Sequence, residues 1–278
     1  MITDLVTVTY DMDFEYMLLQ AESIKKYLEP CTHWVVINEE GEIDLSKYFN
    51  SLKKYYVSHK LKLLKQSDLF NNSNDKHGHY TQQICKLEIA KIIRRDYLIL
   101  DSKNFFIKPV SLNHWDNIVG CNLFMDLPEG FWHNTIQTYC ERLNVTAPGG
   151  MVMPSTPYKI KITENLLNTT DYYTKISIEN FGAASEFIYY FLDNQNLFDL
   201  ENIIHTNSFQ HFYTYFHHHF EETTTDLYSH IKERDELPKF KVLGFHKKFL
   251  EKCQPEHIHI INNWLKEKNF EFQYQLNI

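Results

Sequence analysis

The spacing of apolar and polar positions divides the chain into short elements. Leu5–Tyr10 is rich in β-branched residues and predicts a strand, followed by an acidic, polar turn at Asp11–Glu15. Met17, Ala21, Ile24 and Leu28 then recur at helical spacing, and Pro30 closes that segment. "HWVVIN", His33–Asn38, predicts a second strand. Strand, helix and strand in this order form a βαβ unit and imply a parallel sheet.

Tyr55–Ser58 predicts a short third strand and the polar Ser67–His79 a loop. Tyr80–Arg94 predicts a helix, because Ile84, Cys85, Leu87, Ile89, Ala90, Ile92 and Ile93 leave only a narrow polar stripe. Tyr97–Leu100 predicts a strand buried on both faces that runs directly into Asp101, Ser102 and Lys103. Ile118–Met125 and Gly150–Met153 predict later strands, Ser185–Leu192 a helix, and "KVLGF" a strand ending at His246. No internal repeat and no Pro-, Gly- or Ser-rich linker is found, so a single α/β domain with a C-terminal extension is expected over residues 1–278.

Composition narrows the possible functions. With 43% hydrophobic and 23% charged residues the chain is of the folded, globular type. A net charge of −8 offers no basic footprint, which argues against nucleic acid as a partner. Cys31, Cys85, Cys121, Cys140 and Cys253 are odd in number and lack CxxC spacing, so neither a disulfide framework nor a structural zinc site is expected. The first residues lack the basic and apolar regions of a signal peptide, and no stretch is long and apolar enough to span a membrane. A cytoplasmic protein is expected, with peripheral contact at the inner membrane face as an option.

In a parallel α/β sheet, ligands sit at the carboxyl ends of the strands. Asp101 follows the Tyr97–Leu100 strand and belongs to that edge. Gln82, Gln83 and Lys86, on the first turns of the preceding helix, are expected there too, because residues three and four apart share a face. An acid, two amides and a cation around one crevice suit a nucleotide. They equally suit a turn in which Asp101 caps the next segment and Lys86 is solvated.

"YTQQICKLEIAKIIRRDYLILDSKNFFIKP" resembles the centre of GT-A-type glycosyltransferases, in particular a poorly characterised bacterial and viral group. In that group a QQxxKL helix leads into a strand ending LDSDxxF or LDSKNxF. The resemblance is strongest over Gln82–Pro109. It implies a GT-A-like, Rossmann-like sheet with a nucleotide-binding half at 1–125 and an acceptor half at 126–278. It implies a nucleotide-sugar donor and transfer of the sugar to a glycan or glycolipid hydroxyl, as in surface polysaccharide synthesis.

The same resemblance implies site residues. Thr9, Tyr10 and Asp11 match the positions that cradle base and ribose. Gln82, Gln83, Lys86, Asp101, Ser102, Lys103 and Lys247 match donor-binding positions. Glu186 matches a catalytic carboxylate of inverting enzymes, and as a helix N-terminal Glu it also fits a dipole partner. The DxD motif of the fold holds Mn²⁺ or Mg²⁺, but here Lys103 replaces its second Asp, and an ammonium cannot ligate a metal. Either Asp101 holds the metal with His246, or Lys103 itself neutralises the diphosphate. Gly149–Gly150 suggests close backbone approach to a ligand or a plain hairpin turn. The consecutive His217–His219 point in different directions and are not expected to share one ion. Two other functions remain open: a nucleotidyltransferase, against which the absence of a glycine-rich basic loop in "TYDMDFEY" counts, and a non-catalytic sugar-nucleotide or glycan-binding protein.

Overall fold

The computed structural model describes residues 2–38, 44–70, 78–115, 121–124, 131–146, 151–154, 157–178, 184–197, 212–215, 224–238, 240–245 and 247–275. The strands are β1 (Asp4–Thr9), β2 (Thr32–Ile37), β3 (Lys60–Lys65), β4 (Tyr97–Ile99), β5 (Asn104–Phe106), β6 (Cys121–Phe124), β7 (Met151–Pro154), β8 (Tyr158–Ile160), β9 (Phe212–Tyr215) and β10 (Val242–Phe245). The helices used below are α1 (Phe14–Tyr27), α2 (Leu45–Leu52), α3 (Gly78–Glu88), α4 (Ala90–Ile93), α5 (Glu186–Asp193), α6 (Thr224–Glu236) and α7 (Pro255–Glu267).

A central sheet has the strand order β3-β2-β1-β4-β8. The first four strands are parallel, and β8 runs antiparallel to β4. The molecule is therefore mixed α/β with a mostly parallel, Rossmann-like sheet flanked by helices. Alternation along each strand assigns the two faces. Val6, Val8, Tyr97 and Ile99 pack with Ile84 and Leu87 of α3 and Phe187 and Phe191 of α5. Leu5, Leu98 and Leu100 turn the other way, onto Met17, Ala21 and Ile24 of α1 and Tyr48 and Leu52 of α2. The period of two in β1 and β4 thus buries both faces.

A second sheet, β5-β10-β9, crosses the far side of α1 and packs on α6 and α7. The two parts of the sequence interleave, since β8 joins the main sheet and β10 pairs with β5. The segment around Phe272 lies along α1, where the Glu22 carboxylate accepts the backbone N–H of Phe272 at 3.0 Å.

The structure corrects three local expectations. The third strand is Lys60–Lys65, not Tyr55–Ser58. Tyr55 ends a 3₁₀ turn, and the rings of Tyr55 and Tyr56 fill the core beneath α2. "KLKLLK" hides its strand character because β3 is a sheet edge, where lysines are favoured. The predicted Tyr80–Arg94 helix is two helices, α3 and α4, and Arg94 ends the second at a left-handed φ of 54°. Consequently Lys86 stands in the last turn of α3 rather than its first turns.

Candidate functional site

The chain runs outward from β1 to β2 and β3, then returns to place β4 on the other side of β1. Loops leaving β1 and β4 therefore diverge, and a crevice opens at the carboxyl edge between them. Tyr10 follows β1 and Asp101 follows β4, so one residue stands on each side of the crevice.

A pocket of about 310 Å³ occupies this position. Tyr10 and Tyr16 give it aromatic surface, Gln82 and Ser102 neutral polar groups. Asp13, Asp101 and Glu251 supply carboxylates, Lys103 and Lys247 ammonium groups. The cations are loosely matched: Lys103 Nζ lies 3.9 Å from Asp101 Oδ2, and Lys247 Nζ 3.8 Å from Asp13 Oδ1.

Asp101 to Asn104 form a tight turn closed by Asn104 N–H donating to the Asp101 carbonyl at 2.9 Å. Its apex is Ser102 and Lys103. Beneath it lies a buried charge cluster. Lys86 Nζ is 3.1 Å from Asp101 Oδ1 and 2.8 Å from Glu186 Oε1, and the Tyr158 hydroxyl donates to the same Glu186 oxygen. Lys86 reaches Asp101 from the end of α3 because helical side chains lean towards the helix N-terminus. Burial disfavours its charge, but the two carboxylates outweigh burial and hold its pKa above the ordinary lysine value. Burial, then the Glu186 charge, pushes the Tyr158 phenol far up, so it remains a donor.

Tyr10 is fixed from the α3 side. Its hydroxyl donates to the Gly78 carbonyl, which also accepts from Asn38 Nδ2 at 2.9 Å and Thr81 Oγ1 at 3.0 Å. A Cβ on Gly78 would lie 2.8 Å from the Tyr10 ring, so this close approach requires glycine.

The other residues singled out in the sequence divide between the pocket wall, the interior and, for Asp11, the exposed surface. Thr9 is buried, and its hydroxyl donates to the Tyr10 carbonyl at 3.4 Å. Asp11 points to α2, accepting from the Tyr48 hydroxyl at 2.7 Å and Lys47 at 3.2 Å, and these two bonds hold its pKa below the usual carboxylate value. Gln82 lines the pocket, whereas Gln83 is buried and does not line it. Glu186 is buried behind Lys86 and likewise does not line the pocket. His246, Gly149–Gly150 and His217–His219 lie outside the described residues.

A divalent cation requires several convergent hard oxygens. The two Asp101 oxygens instead face Lys86 and Lys103. Among the described residues no three His, Cys, Asp or Glu side chains are grouped to hold an ion. Among the described residues, which leave out His246, the side chains around Asp101 do not form such a donor set.

Sequence reasoning missed Asp13, Tyr16, Glu251, Tyr158 and Gly244. For Gly244 the signal was present, because an isolated glycine inside a strand marks close approach of another group. A Cβ there would lie 1.9 Å from Asn104 Oδ1 and 3.2 Å from the Lys103 carbonyl. Gly244→Ala is expected to displace the fully buried Asn104 and cost about 1–3 kcal/mol, read from the denaturant midpoint. An unchanged midpoint would show that Asn104 has room to move.

Residues 5–128 match the model of a family of unknown function, DUF6492. No curated protein matches the chain. Among solved structures, the apo form of the bifunctional glycosyltransferase WbbM is similar over 55% of this chain, with 13% identity and a TM-score of 0.33. The chain spans 27% of the length of that protein, so the similarity concerns a part of each.

Proposed function

We propose that the chain is a glycosyltransferase that binds a nucleotide-diphosphate sugar in the crevice between β1 and β4 and passes the sugar to a glycan or glycolipid hydroxyl. The observation that carries this reading is the convergence of Tyr10, Gln82 and the Asp101–Lys103 turn at the point where the strand order reverses. The likeness of the Gln82–Pro109 segment to GT-A enzymes supplies the reaction class.

In this reading Tyr10 offers a rigid aromatic face to the base. Lys103 and Lys247 face the diphosphate as fixed cations, taking the part a metal has elsewhere. Lys86 acts from below by holding Asp101. Glu186 anchors Lys86 instead of meeting the acceptor, which leaves the pocket carboxylates Asp13 and Glu251 to receive the hydroxyl proton. Localisation depends on the substrate: a glycolipid acceptor places the protein at the inner membrane face.

A thermal-shift panel of UDP-, GDP- and CDP-sugars, with and without Mn²⁺, tests the reading. One donor at a hundred times its Kd should stabilise the protein by about 2.7 kcal/mol, a rise of several degrees. Asp101→Asn should remove that shift, because it weakens the hold of Lys86 and Lys103 on the turn. Hydrolysis of the sugar nucleotide separates an enzyme from a binding protein. A panel with no shift for any nucleotide would reject the proposal.

A further inference from the structure

The geometry points to Gln20 as the positioning residue of the Asp101–Asn104 turn, its amide held in one orientation by a one-way chain of buried hydrogen bonds from Tyr56 through His33 and Thr7. This inference rests on the proposed nucleotide site, whose pocket-facing Ser102 and Lys103 form the apex of that turn.

Gln20 lies on α1, fully buried. Its Nε2 donates to the Asp101 carbonyl at 2.8 Å and to the Asn104 carbonyl at 2.8 Å. It therefore clamps both ends of the turn. With both amide protons so used, Oε1 is left to accept, and it accepts from Thr7 Oγ1 at 2.9 Å. The single Thr7 hydroxyl proton is then committed to Gln20. His33 Nε2, 3.0 Å from Thr7 Oγ1, must be the protonated ring nitrogen. His33 Nδ1 is then the acceptor for the Tyr56 hydroxyl at 2.6 Å. Thr7, Gln20 and His33 are all fully buried, so no water competes for these bonds.

Each link leaves the next a single choice. A flipped Gln20 amide would set Oε1 against the two carbonyl oxygens of the turn. A protonated His33 would leave the Tyr56 hydroxyl proton without this acceptor. Burial, with the neighbouring His59, pushes the His33 pKa down to about 3, in keeping with a neutral ring. A chain that served only to fill the core would have no need to end on both carbonyls of one turn.

Three variants and one spectrum test the inference. Thr7→Ser keeps the hydroxyl, Thr7→Val removes it at nearly constant shape, and Gln20→Met removes the clamp. UDP and GDP are titrated calorimetrically at a temperature where circular dichroism shows all variants folded. Thr7→Ser should bind like the wild type, while Thr7→Val and Gln20→Met should bind about tenfold or more weakly, the value of a lost buried hydrogen bond. In the wild type, imidazole ¹⁵N shifts should report a neutral His33 protonated at Nε2 from pH 5 to 8. Equal binding by Thr7→Val and Thr7→Ser overturns the inference, and so does a His33 that titrates in that range or carries its proton on Nδ1. If the wild type binds neither nucleotide, that result falls on the proposed function, which the wider donor panel decides. The clamp is then judged by amide exchange at Ser102–Asn104: faster exchange in Thr7→Val than in Thr7→Ser supports it, and equal rates overturn it.

Discussion

Lys103→Ala is expected to slow turnover of the nucleotide-sugar donor by about 10²–10³-fold, and EDTA to leave wild-type turnover unchanged. A departing nucleoside diphosphate develops negative charge in a partly dry pocket, where a fixed cation is worth several kcal/mol more than in water. Lys103 is the cation at the apex of the Asp101 turn, and its 3.9 Å pairing with Asp101 is loose enough to yield to a phosphate. The melting temperature should move little, since the side chain is 28% exposed and a pairing of this kind contributes little to stability. Steady-state kinetics of the variant, with a chelator arm for both proteins, decide the matter. Loss of wild-type activity in EDTA with recovery on Mn²⁺ would return the metal to the site. An active protein that ignores both treatments would show that the diphosphate lies elsewhere.

Lys86→Met should act on the fold. Lys86 is buried and paired with two carboxylates, one of them, Glu186, 4% exposed. Removing the ammonium leaves that carboxylate uncompensated, and breaking a buried pair in this way costs about 3–5 kcal/mol. Adding Glu186→Gln should recover part of the loss, because the stranded charge is then gone as well. Urea denaturation of the two proteins measures both effects. A Lys86→Met protein as stable as the wild type would mean that water or a rearranged side chain satisfies Glu186.

Much of the sheet was legible because its signals are local. Leu5–Tyr10, His33–Asn38 and Tyr97–Leu100 are apolar runs bounded by polar turns, and the structure places strands at or within one residue of each boundary. β5 and β8 escaped notice because three residues such as "NFF" or "YKI" carry no period, and their pairing partners are distant in sequence. The position of Asp101 followed from strand direction alone. That Gln83 is buried and Glu186 sits behind Lys86 did not, since both depend on how α3 and α5 rotate against the sheet. Gln20 had a signal that was overlooked: with Met17, Ala21 and Ile24 it shares the core-facing stripe of α1, and a polar residue in such a stripe must find partners inside.

Gly244 also bears on the order in which the molecule can be assembled during synthesis. The Asp101 turn and the parallel strands leave the ribosome early, but β10 pairs with β5, directly after that turn, and brings Gly244 against Asn104. The segment anchored on Glu22 emerges later still. Contacts between such distant parts of a chain form slowly, because a long loop must close before they contribute. A nascent chain halted before β10 would hold β1, β2 and β4 but leave β5 unpaired on the side that β10 covers. Such an intermediate presents an open strand edge to other chains, and expression at lower temperature or with chaperone support should raise the yield of folded protein.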